Sequence, residues 1–304
     1  MPAIIRRLMV NLSDMLVAAP HETAARPTDR TAPDAPNEST AENIPTYSPS
    51  PADVGEVRAI LKATHPALPT EIADIVLDFA DYSVKDIHAF NPRAGYRIGS
   101  HGPAVYGLIL KGPQIRELKQ SGGELRDLRI KAVRFEIASH DQGWGGEAGT
   151  QGTYHGAFSW FEATILRRKH RSGAGVEPPP NVEPPVPDRT YAGYSEAYRP
   201  FGWDFAADEK GNMLIWPVQK NKVAVGETET HEIVWMLDGD GGKEHEQAKS
   251  ENEDTGSGSG NRFVRTLQPG DVICLWARAI TDGNQYPGWA NVVEKAKIEV
   301  TYSD

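Results

Sequence analysis

The sequence predicts a mainly β chain of the α+β class, in which a short αα-hairpin leads into an antiparallel β-sandwich of roughly eight strands. Three observations carry this expectation. Apolar residues recur with helical spacing between residues 50 and 82, then with a period of two from about residue 104. No G-x-G-x-x-G or P-loop follows a strand-like run, and no helical pattern separates the runs, so doubly wound and barrel α/β folds are disfavoured. All seven tryptophans (Trp144, Trp160, Trp203, Trp216, Trp235, Trp276, Trp289) lie after residue 143, which makes the composition two-part.

Composition bounds the function as well as the fold. With 304 residues, 39% of them apolar, the chain can bury a sizeable core. Its one cysteine, Cys274, excludes an intramolecular disulfide framework and a cysteine-built zinc site. No run approaches the roughly 18 apolar residues of a spanning helix. A net charge of −10 argues against general nucleic-acid binding.

Taken from the N-terminus, residues 1–49 are rich in Pro, Ala, Thr, Asp and Asn, and a disordered tail is expected. Within it, Ile4, Ile5, Leu8, Leu12, Met15 and Leu16 form a weak helical stripe behind Arg6 and Arg7. A frayed helix accounts for that stripe; a secretory or mitochondrial targeting segment at residues 1–19 is the alternative. Asn11 and Asn37 stand in glycosylation sequons that matter only in a secreted chain. The hairpin is assigned to residues 50–83. Ser50-Pro51-Ala52-Asp53 supplies an N-cap hydroxyl, a first-turn proline and an N3 carboxylate. Val54, Val57, Ile60 and Leu61 share one face, and His65-Pro66 stops the helix. Thr70 caps a second helix whose Ile72, Ile75, Val76, Phe79 and Tyr82 form its apolar stripe. Neither helix is long enough to stand alone, so the pair is expected to dock on the following domain, on a partner, or on both.

The sandwich is assigned to residues 104–304. Its strands are expected at 105–110, 128–138, 158–166, 213–218, 231–237, 262–267, 271–279 and 295–302. The last alternates most cleanly: Ala296, Ile298, Val300 and Tyr302 face one way, and Lys295, Lys297, Glu299 and Thr301 the other. Two insertions, 167–190 and 238–261, are expected as flexible surface loops, the first basic then Pro-rich, the second acidic then Gly/Ser-rich.

The densest polar cluster is Ser139-His140-Asp141-Gln142-Gly143-Trp144-Gly145-Gly146, at the end of a strand. A ring supplies an apolar platform there, while amide and carboxylate groups fix a polar ligand. Equally, Asp141 and Gln142 could hold loop backbone, as Asx-type residues do, with Trp144 plugging the sandwich end. A second cluster, Gln285-Tyr286-Pro287-Gly288-Trp289-Ala290-Asn291, is a turn sequence between the last two strands. If both loops share one end, His140, Asp141, Gln142, Trp144, Tyr286, Trp289 and Asn291 make a ligand-binding rim. Gln219 and Asn221 are expected to bond neighbouring backbone or ladder. His140, Asp141, Glu147 and His155 lack a recognised metal spacing, so no metal or cofactor is assigned. No nucleophile elbow exists, and Cys274 sits in an apolar strand where a thiol is inert, so no catalytic residue is assigned. Asp141 with Glu147 or Glu162 passes only the weak filter for a glycosidase carboxylate pair. Pro184-Pro185-Val186-Pro187-Asp188-Arg189 fits a PPII ligand of SH3 domains, and Arg167 to Arg171 resembles a minimal nuclear-import patch.

Several motifs recur together in a family. Leu68-Pro69-Thr70-Glu71-Ile72, Asp78-Phe79-Ala80-Asp81-Tyr82, Ser-His-Asp-Gln-Gly-Trp from Ser139, Ser-Trp-Phe-Glu-Ala from Ser159, Phe263-Val264-Arg265-Thr266-Leu267, Leu275-Trp276-Ala277-Arg278-Ala279 and Tyr286-Pro287-Gly288-Trp289 resemble a group of uncharacterised filamentous-fungal proteins. The likeness covers about residues 53 to 304 and implies an intracellular fungal protein without implying an activity. The sandwich is expected to be of jelly-roll or galactose-binding-like type, and by architecture alone it also resembles the galactose-binding-like and F-box-associated sandwiches, which implies recognition of sugars or protein degrons.

The function expected is non-catalytic recognition, as a binding module or adaptor. The rim would take a polar ligand, and hairpin 50–83 or Pro-rich loop 178–189 a protein partner, in the cytoplasm or nucleus. Carbohydrate binding or glycoside processing at the same loops is the alternative.

Overall fold

A computed structural model describes residues 48–63, 67–93, 95–99, 104–116, 129–169, 177–184, 189–237, 254–280 and 289–303. Residues 1–47 of the tail, with its helical stripe and both sequons, lie outside the described residues. The chain divides into two compact units, Met1–Val84 and Lys85–Asp304. Among the described residues, no helix is long and apolar enough to cross a membrane.

The first unit contains the expected helical pair, α1 (Pro51–Lys62) and α2 (Thr70–Phe79). Ser50 and Asp53 form a reciprocal capping box: the Ser50 hydroxyl accepts from Asp53 N at 3.2 Å, and the Asp53 carboxylate accepts from Ser50 N at 2.8 Å. On α2 the structure differs from expectation. Thr70 is the first helical residue, behind an N-cap at Pro69 that makes no side-chain bond. Its buried positions are Ala73 and Leu77, whereas Ile72, Ile75 and Phe79 of the expected apolar stripe are exposed. Asp74, on the flank of the buried positions, accepts from Arg58 Nε of α1 at 2.6 Å, which fixes the rotation of one helix against the other.

The second unit is a two-sheet sandwich. Its strands are β1 (Val84–Phe90), β2 (Tyr96–Gly99), β3 (Ala104–Gln114), β4 (Arg129–His140), β5 (Ser159–Arg168), β6 (Trp203–Phe205), β7 (Trp216–Lys220), β8 (Glu229–Met236), β9 (Val272–Ile280) and β10 (Ala290–Ser303). The first sheet runs β1-β10-β4-β8, with β2 also on β10. The second runs β3-β9-β5, with β6 and β7 sharing the far edge of β5. Omitting the short β2 and β6, the sheet orders β1-β10-β4-β8 and β3-β9-β5-β7 are those of a jelly roll, in which successive strands alternate between sheets except at the step from β5 to β7. The sandwich therefore begins at β1 and β2, ahead of the expected boundary at 104. Their sequences conceal it, because Lys85, Asp86 and His88 break the apolar alternation of β1.

Alternation explains the core. Val133, Phe135 and Ile137 of β4 and Ala296, Ile298 and Val300 of β10 face Phe161, Ala163 and Ile165 of β5 and Ile273, Leu275 and Ala277 of β9, all fully buried. The opposite face of the first sheet is wet and charged. There Lys295 and Lys297 clamp Glu136 at 2.6 and 2.8 Å, and those two bonds hold its carboxyl down at about 2. The segment 262–267, expected as a strand, contains a one-turn helix, α4 (Phe263–Thr266). Phe263 is drawn into an aromatic cluster with Trp235 and Trp216, ring centroids 4.7 and 4.9 Å away, and the tertiary packing overrides the local β preference.

Neither insertion is wholly a surface loop. Arg167 and Arg168 finish β5, and Arg167 grips the buried Asp271 through two bonds of 2.9 and 2.7 Å. Farther on, Pro184 is buried and Val182 packs on the outer face of the second sheet. Helix α3 (Tyr191–Tyr198) then crosses that face, capped by Thr190, whose hydroxyl accepts from Gly193 N at 3.2 Å. Tyr194, Tyr198, Trp203 and Phe205 thus build a second apolar layer over Leu166, Cys274 and Trp276. In the other insertion, residues 254–261 are built into the sandwich, where Gly258 accepts from the Trp235 indole at 3.0 Å.

Candidate functional site

Jelly-roll order decides which loops meet. His140 at the end of β4 is paired with Val292 near the start of β10, and Ser139 with Glu229 at the start of β8. In the second sheet, Ser159 at the start of β5 faces Ala279 near the end of β9. The ends of β4, β7 and β9 and the starts of β5, β8 and β10 consequently lie at one end of the sandwich.

The β4–β5 loop touches Trp289 and the start of β10 there. Gln142 donates to the carbonyl of Trp144 at 2.7 Å and accepts from Ala290 N at 3.0 Å, bridging the β4–β5 loop to the first residue of β10. Trp289 stacks on Phe158 with centroids 4.7 Å apart and lies against Gly145, where an added Cβ would come within 3.4 Å of its ring. Asp141 is buried, and its two oxygens accept from Gly143 N at 2.7 Å and Ala224 N at 2.6 Å. Burial nonetheless outweighs these donors and pushes its carboxyl above the ordinary value. His140 turns Nδ1 to within 2.6 Å of the Asp141 carbonyl oxygen.

Asn291 is fully buried beneath this rim. It donates to the carbonyls of Trp160 at 3.0 Å and Arg278 at 3.3 Å, and accepts from Asn221 at 3.1 Å. Asn221 in turn donates to Ser159 at 3.0 Å and accepts from Ser139 at 2.8 Å. A closed amide–hydroxyl network therefore ties β4 and β10 of one sheet to β5 and β9 of the other. Of the rim residues, Asp141, Gln142 and Asn291 spend their polar groups on the protein itself, Trp289 is half-buried, and Trp144 stands 47% exposed. Tyr286 lies outside the described residues. Among the described residues, no group of three or more His, Cys, Asp or Glu side chains is placed to hold a metal.

A second cluster escaped the sequence reading. On the outer face of the second sheet, Glu162 accepts from the Trp160 indole at 2.7 Å, from Arg278 at 2.7 Å and from the Tyr191 hydroxyl. The Arg278 guanidinium lies 3.7 Å over the Tyr106 ring. Burial first, and then the Glu162 charge, push the Tyr191 hydroxyl far up, so it stays protonated and donating. This arrangement seals α3 onto the sheet and engages both oxygens of Glu162. Its one legible sign was polarity out of place: Glu162 and Arg278 interrupt otherwise apolar strands, on the face that a half-wet sheet would show to water.

No family model matches the chain, and neither a curated protein nor a solved structure matches it.

Proposed function

We propose that the chain is a non-catalytic recognition module that binds a polar ligand or partner at the loop end of its sandwich, with the helical hairpin as a separate docking element. The observation that supports this reading most is the contrast at one end of the sandwich. Asp141, Gln142 and Asn291 are consumed in holding backbone, while Trp144, flanked by Gly143 and by Gly145-Gly146, leaves its ring open to solvent. A ring presented on a loop fixed at both ends loses little entropy on binding, which is the condition for a stacking platform. Sugar rings stack on such platforms, and that favours carbohydrate as the second reading.

Trp144→Ala tests the proposal. Binding on a glycan array, or capture of a partner, falls at least tenfold while the melting temperature stays within about 2 °C, since exposed substitutions rarely change stability by more than about 0.5 kcal/mol. Unchanged binding by Trp144→Ala in every assay that the intact chain passes would remove the platform from the account.

A further inference from the structure

Ile72, Ile75 and Phe79 follow i, i+3, i+7 spacing, so they share one side of α2. They are 42%, 60% and 65% exposed, and the helix buries Ala73 and Leu77 instead. Single exposed apolar residues are ordinary; three in register along a ten-residue helix form the stripe by which helices dock into one another. The charge around the stripe is one-sided. Residues 50–83 contain six carboxylates (Asp53, Glu56, Glu71, Asp74, Asp78, Asp81) against Arg58 and Lys62. Helix α2 itself holds Glu71, Asp74 and Asp78 without a basic residue, and the Arg58 partner of Asp74 belongs to α1.

We propose that this face of α2 docks an amphipathic helix of another protein, one whose apolar stripe is bordered by Lys and Arg. The inference rests on the hairpin being the docking element and adds the chemistry of what it docks. Apolar contact supplies the affinity, and the acidic border selects the partner by opposite charge and repels helices bordered by Glu or Asp.

A displayed library tests it, using 15-residue helical peptides with Leu at stripe positions and either Lys or Glu at bordering positions, selected on the full-length chain. Lys-bordered peptides are expected to be enriched at least tenfold, with affinity falling as salt rises from 0.05 to 0.5 M. Ile75→Glu and Phe79→Glu abolish the enrichment, Ile75→Ala weakens it with the circular dichroism unchanged, and Glu71→Lys erodes the preference for Lys. If neither peptide class binds, the hairpin is not the docking element. Equal binding of both classes overturns the basic partner alone. A chain that dimerises in sedimentation through this face, and loses dimerisation in Ile75→Glu, has itself as occupant and also overturns the proposal.

Discussion

Replacing Asp141 by alanine removes the acceptor for two backbone donors, Gly143 N and Ala224 N, at 2.7 and 2.6 Å. A buried donor left without a partner costs about 1–3 kcal/mol. Gly143 is exposed, so water replaces its lost partner at little cost, whereas Ala224 is half-buried and bears most of the penalty. Asp141→Ala is therefore expected to cost about 2–3 kcal/mol, and Asp141→Asn, which keeps one acceptor oxygen, about half of that. The pH dependence adds a sign. Because burial raises the folded-state carboxyl above its ordinary 3.8, the native protein retains this proton where the unfolded chain has released it. The stability contributed by protonation is complete below about pH 3.8 and is lost as pH rises through the folded-state value. The gap between the parent chain and Asp141→Asn accordingly narrows as pH rises from 4 and then levels off. Urea unfolding followed by tryptophan fluorescence, repeated between pH 4 and 8, measures both effects. A cost for Asp141→Ala below about 0.5 kcal/mol, or a gap that widens with pH, would refute the account of Asp141 as a buried backbone clamp.

Three further outcomes follow from the same structure. Arg278→Met strands the Glu162 carboxylate, only 13% exposed, without its cation, and should cost about 3–5 kcal/mol in thermal or urea unfolding; adding Glu162→Leu should recover most of the loss. Gly260 has φ +64° and no room for a methyl group, since a Cβ there would lie 2.2 Å from the Trp235 ring; Gly260→Ala should lower stability by at least about 2 kcal/mol and alter the near-ultraviolet circular dichroism of that indole. Burial pushes the Cys274 thiol up to about 12, so a thiol reagent at pH 8 should leave it untouched in the native protein and label it only as fast as the sandwich opens.

The rim shows how far local chemistry could be followed. Asp141 as a clamp of its own loop was one of the two roles its type and setting offered, because Asx residues bond backbone two positions ahead. Its second bond, to Ala224, was not legible, since it reaches 83 residues along the chain. Helix α3 illustrates a missed local cue: Tyr191, Tyr194 and Tyr198 follow helical spacing behind a Thr190 cap, but the flanking proline runs suggested only a loop.

By itself, the sequence determined the antiparallel sandwich, the capping box at Ser50 and the alternation that buries Ala296, Ile298, Val300 and Tyr302. Each depends on spacing within a few residues, where backbone geometry alone sets which side chains share a face. Only the tertiary structure decided that the β4–β5 loop meets the start of β10, that Glu162 closes on Arg278 across 116 residues, and that α2 turns Ile75 and Phe79 outward. Those outcomes depend on strand order and on which of several apolar surfaces finds cover, and neither is encoded in the period of a single element.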